Sequence, residues 1–286
     1  MTAHPRRRWL VRLGQLALGL AVLFMLLRWF EHKQTYHPTR THYASAAELG
    51  RAWEDVTFTA ADGVALHGWF FPGDTQSPRA RLVVLLCHGN GGNISHRLGL
   101  YDVLLESGVS VFAFDYRGYG RSAGRPSEAG TYRDAHAAHA WLRAKGFSAT
   151  NIIAYGESLG GGVASELALT ETVGALVLHS TFTSLPDIGA ELFPWLPVRL
   201  VGSIRYDTRS RLPHLRIPVL ILHSRADSLV RFHHAERNFA AANEPKWLRE
   251  IPGDHNDGIV DRAGFLAAWE ILLQRLERAA PADPMP

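Results

Sequence analysis

The sequence predicts an α/β fold: a mostly parallel, doubly wound sheet with a short cap insertion, preceded by an N-terminal transmembrane helix. Three observations predict it. Short apolar runs alternate with helix-like segments from about residue 55 to 278, the pattern of a parallel sheet wrapped by helices. One of those runs leads through a glycine-flanked serine directly into a helical pattern. A long apolar stretch lies near the N-terminus behind Arg6, Arg7 and Arg8. The 286 residues suffice for one large α/β domain plus an appendage. A hydrophobic content of 47% provides for a sizeable core.

The apolar stretch runs from Trp9 to Phe30, with Arg12 and Arg28 near its ends. Its uninterrupted part, Leu13 to Leu27, spans about 22 Å as a helix, short of the ~30 Å of hydrocarbon. With the arginines snorkelling and the tryptophans at the interfaces, Trp9 to Phe30 is long enough. A signal peptide has a similar plan, but Arg28-Trp29-Phe30-Glu31 is a poor cleavage site. Residues 1–30 therefore read as an uncleaved signal anchor. The arginines precede the run, so the N-terminus is expected in the cytoplasm and the catalytic body on the extracytoplasmic side.

Residues 31–54 read as a tether and 55–278 as the domain. Val56 to Thr59 and Val64 to Phe71 are expected strands around an Asp62-Gly63 turn. Leu82 to Cys87 and Val109 to Phe114 are continuous apolar runs, as buried parallel strands are. Arg97 to Ser107 between them is helical. Thr131 to Lys145 is another helix, with Thr131 as its cap. Strands are expected at Ala175–His179, Val219–His223 and Lys246–Ile251, and helices at Phe232–Ala241 and Arg262–Leu276. Residues 181–216 interrupt the alternation as a cap, and 279–286 read as a disordered tail.

The chemistry centres on Gly156-Glu157-Ser158-Leu159-Gly160, which follows the apolar run Ile152–Tyr155 and precedes the helix-like Val163–Leu169. Glycines at both flanks permit a sharp strand-to-helix turn that exposes the serine hydroxyl. A serine needs a base, and the base needs an orienting carboxylate. In an open sheet those partners belong in loops after later strands. Asp227 follows Val219–His223, and His255 follows the last strand. Asp254 and Asp257 are closer in sequence to His255, but a loop neighbour rarely reaches the ring in the needed geometry. An anionic intermediate needs two backbone donors. Leu159, just after the serine, supplies one, and Asn90 in His88-Gly89-Asn90-Gly91-Gly92-Asn93 the other. Of the fifteen histidines, His136, His139, His233 and His234 fall on helices and read as surface or packing residues.

From about Val56 to Leu276 the chain resembles the α/β-hydrolase superfamily, and within it the Bem46-like or serine aminopeptidase S33-like hydrolases. The loops just quoted carry the resemblance, together with Asp115-Tyr116-Arg117-Gly118-Tyr119-Gly120-Arg121-Ser122. It implies Ser158 as nucleophile, His255 as base, Asp227 as orienter, and Asn90 and Leu159 as the oxyanion hole. It implies no metal and no organic cofactor. The expected activity is a membrane-anchored serine hydrolase acting on carboxylic esters, lipid esters or thioesters among them. The alternatives are an aminopeptidase-like peptidase and a non-catalytic binding protein of the same fold.

Other classes are disfavoured. The net charge is +3, without a basic cluster interleaved with aromatics, so nucleic acid is not an expected partner. The glycine-rich loop lacks a Walker lysine and an appropriately placed acidic residue, which argues against a nucleotide. Cys87, the single cysteine, excludes an internal disulfide and reads as a core residue. The cap carries apolar Leu192–Pro197, then Arg199, Arg205, Arg209, Arg211 and Arg216 against Asp207. It is expected to be either a helical cover with a solvated charged face or a lid lying on an anionic bilayer.

Overall fold

A computed structural model describes residues 5–279. Apart from Ala279, the expected disordered tail lies outside the described residues. Eight strands form one sheet in the order β10-β9-β8-β7-β4-β6-β3-β2. They are β2 (Glu54–Thr59), β3 (Ala65–Phe71), β4 (Val83–Cys87), β6 (Ser110–Asp115), β7 (Ile152–Glu157), β8 (Ala175–His179), β9 (Val219–His223) and β10 (Lys246–Glu250). Only β2 and β3 run antiparallel to their neighbours, joined through the turn at Gly63, whose φ is +82°. Every residue of β4, β8 and β9 is buried, because helices cover both faces.

Alternation along the strands divides the core. Val83, Leu85 and Cys87 face α3 (Glu128–Ala144) and α4 (Leu159–Thr170). Val84 and Leu86 face α2 (Leu98–Glu106) and α9 (Arg262–Ala279), where Trp269 is wholly buried. Cys87 is a buried core residue, as expected. The cap contains α5 (Leu185–Leu192), α6 (Val198–Val201) and α7 (Thr208–Arg211), and α8 (His233–Ala241) follows β9.

Helix α3 begins one turn earlier than the sequence suggested. Ser127, not Thr131, is its cap and accepts a hydrogen bond from the Gly130 amide at 3.1 Å. Thr131 lies inside the helix and donates to the Glu128 carbonyl, 2.9 Å away. The hydroxyl of either residue satisfies a capping pattern, and the start is decided by Glu128. Its carboxylate accepts from the amides of Arg205 and Tyr206 at 2.8 and 2.7 Å.

The N-terminal helix α1 is unbroken from Pro5 to Thr35. Trp9–Thr35 has the length to cross a membrane, and an 18-residue stretch within it has a mean hydropathy of 2.1. Residues 31–54 are not a loose tether. Thr35 and Tyr36 are buried, and His37–Pro38 (β1) pairs in parallel with Gly91–Gly92 (β5). Glu31 accepts from the amides of Ser203 and Ile204 at 2.6 and 2.9 Å, fastening the end of α1 to the cap. Phe30 meets Phe193 edge-on at 5.6 Å. The polar look of this segment concealed the docking, since most of its bonds use backbone atoms.

Candidate active site

Strand β7 runs into Ser158, which has φ +52° and ψ −117° before α4 starts at Leu159. A non-glycine residue rarely holds such a backbone, and the surrounding contacts enforce it. The Ser158 amide donates to the His179 carbonyl at 2.9 Å. Close backbone packing on both sides requires the flanking glycines. A Cβ at Gly156 would lie 2.5 Å from the Gly161 nitrogen, and one at Gly160 would collide with the Cys87 carbonyl. Gly160→Ala would therefore push α4 away from β4. The expected loss is about 3 kcal/mol or more, read by thermal unfolding. An unchanged midpoint would mean that the elbow is looser than these contacts require.

The structure brings Ser158, His255 and Asp227 into one hydrogen-bonded chain. His255 Nε2 is 3.0 Å from Ser158 Oγ, and His255 Nδ1 is 2.8 Å from Asp227 Oδ2. Asp227 is buried in the loop after β9, and its other oxygen accepts from the amides of Leu229 and Val230 at 3.0 and 2.7 Å. A carboxylate is acceptor-only, so the His255 Nδ1 proton faces it and Nε2 presents a lone pair to the serine. The rival carboxylates hold the loop instead. Asp254 accepts from the amides of Ser228 and His255, both at 2.7 Å, and Asp257 accepts from the Asp254 amide at 2.7 Å.

Leu159 opens α4, so its amide is one of the helix-terminal donors without an intrahelical acceptor. Asn90 lies on the facing loop, where a Cβ at the neighbouring Gly89 would sit 3.5 Å from Ser158 Cβ. The Asn90 carbonyl accepts from the His37 amide (3.0 Å) and Tyr119 Oη (2.8 Å), and its Nδ2 donates to the Thr35 carbonyl at 3.1 Å. Among the described residues its amide has no acceptor. The cleft over this site has a volume of about 520 Å³, with Gly91, Arg97, Ile251 and Ile259 in its walls.

Two features of the cleft were not read from the sequence. His179 ends β8 on the cleft wall, accepting or donating with Tyr155 Oη at 2.8 Å. Burial pushes its imidazole down to about 4, so it is neutral at physiological pH and adds no charge beside His255. Glu157 pairs with Arg97 at 3.1 Å. That ion pair holds the Glu157 carboxyl below its ordinary value despite burial. Glu157 fills a variable position of the elbow and His179 belongs to no motif; the sheet register sets the two opposite one another.

This fold and this elbow define an α/β-hydrolase. Residues 83–205 match the family model described as alpha/beta hydrolase fold. The chain is 40% identical over 243 residues to Rv2307c of Mycobacterium tuberculosis, covering 84% of this chain and 86% of that one. It is 31% identical to the protein bem46 of Schizosaccharomyces pombe, covering 76% of each. The chain belongs to the Bem46-like α/β-hydrolases. In structure it is similar to the Pyrococcus furiosus esterase Pf2001, with a TM-score of 0.68 and 22% identity, over 85% of this chain and 98% of that one.

Proposed function

We propose that this protein is a membrane-anchored serine hydrolase that cleaves carboxylic esters through an acyl-enzyme. The observation that carries the reading is the continuous chain from Asp227 through His255 to Ser158, beside the open amides of Leu159 and Asn90. His255 Nε2 takes the Ser158 proton as Oγ attacks the ester carbonyl, and the two amides receive the developing oxyanion. His255 then protonates the departing alkoxide. Water, deprotonated in turn by His255, releases the acid and restores the serine. A binding protein would require neither the strained Ser158 nor the aligned imidazole.

The anchor reading is supported by continuity. Helix α1 continues without a break into the buried Thr35 and Tyr36, so cleavage past its apolar part would sever residues packed into the body. Arg6, Arg7 and Arg8 ahead of it support a body on the extracytoplasmic side. Lipid esters are favoured as substrates because the cap meets α1 where the helix would leave the bilayer. An apolar groove of about 100 Å³ lies between them, lined by Leu27, Phe30, Ile188, Leu192 and Val201. Trp195 and Leu200 stand exposed beside it at 73% and 87%. An aminopeptidase would need a free carboxylate for the substrate amine, and Glu157 is already paired with Arg97.

The test is turnover of a p-nitrophenyl ester series and of a lysophospholipid by the full chain in lipid nanodiscs, with mass spectrometry of the trapped acyl-enzyme. The expected result is an acyl adduct on Ser158 and faster turnover of long-chain esters. An adduct with preference for short soluble esters would remove the lipid reading and leave the hydrolase. Neither adduct nor turnover from a folded chain would overturn both.

A further inference from the structure

Asp115 ends β6 with its side chain fully buried, and its Oδ1 accepts from the Ile94 amide at 2.9 Å. Three imidazoles surround it. His42 Nε2 stands 3.4 Å from Oδ2, His67 Nδ1 stands 4.0 Å from Oδ2, and His88 Nε2 stands 3.6 Å from Oδ1. The tautomers of His67 and His88 follow from their other nitrogens. His67 Nε2 is 2.6 Å from Asp55 Oδ1, which can only accept, so Nε2 carries the proton. His88 Nδ1 is 2.7 Å from the Gly89 carbonyl, so there Nδ1 carries it. With one proton apiece, His67 and His88 turn bare lone pairs toward Asp115, while His42 Nε2 lies at the long end of hydrogen-bonding distance from Oδ2. Both of these nitrogens, His67 Nδ1 and His88 Nε2, are buried without a hydrogen-bond partner. Lone pairs and a carboxylate facing one another in a dry interior are costly unless a cation lies among them.

We infer that His42, His67 and Asp115 bind a divalent transition-metal ion of the zinc type, stapling the segment after the anchor to strands β3 and β6. The ligand atoms of these three residues all lie within 4.8 Å of one another. A separation of 4.0 Å is too long for a hydrogen bond, whereas donors on a common tetrahedral zinc lie roughly 3.3 Å apart, given metal bonds of about 2.0–2.1 Å. Two imidazoles and a carboxylate are a zinc-type donor set, and Asp55 behind His67 is the carboxylate that commonly orients a metal-bound histidine. Gly120, at φ +44°, keeps the space free: a Cβ there would collide with Asp115 Oδ2 and come within 2.9 Å of His42 Nε2. A surface pocket beside His42, walled by Tyr43, Trp53, Trp69 and Arg121, offers a path for the ion and a place for a coordinated water.

The other histidine cluster also holds a buried nitrogen without a hydrogen-bond partner, His234 Nε2, but differs in its tautomer. His233 and His234 face Glu191, but the Thr183 amide donates to His234 Nδ1 at 3.2 Å. The His234 proton is therefore on Nε2, toward Glu191, and no lone pair is left for an ion. The Asp115 site is structural: the serine chemistry needs no metal.

The experiment uses the full chain in detergent, purified without a polyhistidine tag and stripped with EDTA. Zinc and cobalt(II) are titrated by calorimetry, by visible absorption of the cobalt form and by thermal unfolding. One ion per chain is expected, with a low-symmetry cobalt spectrum and a rise in the unfolding midpoint. His42→Ala, at a partly exposed position, is expected to weaken binding at least ~100-fold, as lost metal-site partners do, and to abolish the rise. His233→Ala is expected to bind as wild type does. Absence of saturable binding at micromolar zinc, unchanged binding in His42→Ala, or loss in His233→Ala would overturn the assignment. A second proton on His67, bridging Asp55 and Asp115, would then account for the cluster. No readout uses ester turnover, so the result stands apart from the proposed activity.

Discussion

Alanine at Ser158, at His255 or at both is expected to lower ester turnover by the same factor, about a million-fold. The equality follows from the geometry. His255 Nε2 reaches only the Ser158 hydroxyl, and Ser158 Oγ has no other base within hydrogen-bonding distance among the described residues. Once either is gone the other has nothing to do, so the second substitution removes nothing further. The residual rate comes from binding and from the amides of Leu159 and Asn90. Asp227→Asn should cost less, about 10⁴-fold, by leaving the ring held in the wrong tautomer. The check is steady-state kinetics on the four variants and wild type, with fluorophosphonate labelling of Ser158 and matched unfolding curves. A double variant far below either single one, or a Ser158→Ala protein retaining a tenth of wild-type turnover, would show that the hydrolysis arises elsewhere.

The partners of this chain were legible because each stands at or just after the end of a strand, although the strand before His255, Lys246–Glu250, is half-exposed and mostly polar. Ala175–His179 and Val219–His223 were bounded from the apolar pattern alone, and the loops that follow inherit their position from the sheet. The choice of Asp227 over Asp254 and Asp257 rested on loop geometry, and the structure sets Asp227 against the ring. Other features left no such trace. The pairing of β1 with β5 uses amides and carbonyls that every residue has. The Arg97–Glu157 pair joins residues 60 positions apart with no shared motif. His42 and His67 looked like two more members of a histidine-rich chain until folding set them around one carboxylate.

The segment that looked like a tether leads to the second large effect. A chain beginning at Arg28 is expected to label with fluorophosphonate like wild type, and one beginning at Tyr43 about 100-fold more slowly, the cost of losing one oxyanion donor. The reason is what residues 35–41 hold. The amides of His37 and Thr39 donate to the carbonyls of Asn90 and Gly92, each at 3.0 Å, and the Gly120 amide donates to the Thr39 carbonyl at 2.9 Å. Asn93, fully buried, donates through Nδ2 to the carbonyls of Thr39 and Thr41 at 2.9 and 2.8 Å. Removing the segment leaves the buried Asn93 amide group unpaired, at a cost of about 1–3 kcal/mol, and frees the glycine-rich loop to turn its Asn90 amide off the serine. The cap also loses its bonds to Glu31 and Tyr36, but the bonds that hold Asp227 and His255 lie at the other end of the cleft and are kept. Asn93→Ala is the point version, and it keeps His42 in place: slower labelling with a smaller shift in unfolding midpoint is expected. Equal labelling rates for the two shortened chains would show that the oxyanion loop holds its shape unaided, and that α1 serves as an anchor and nothing more.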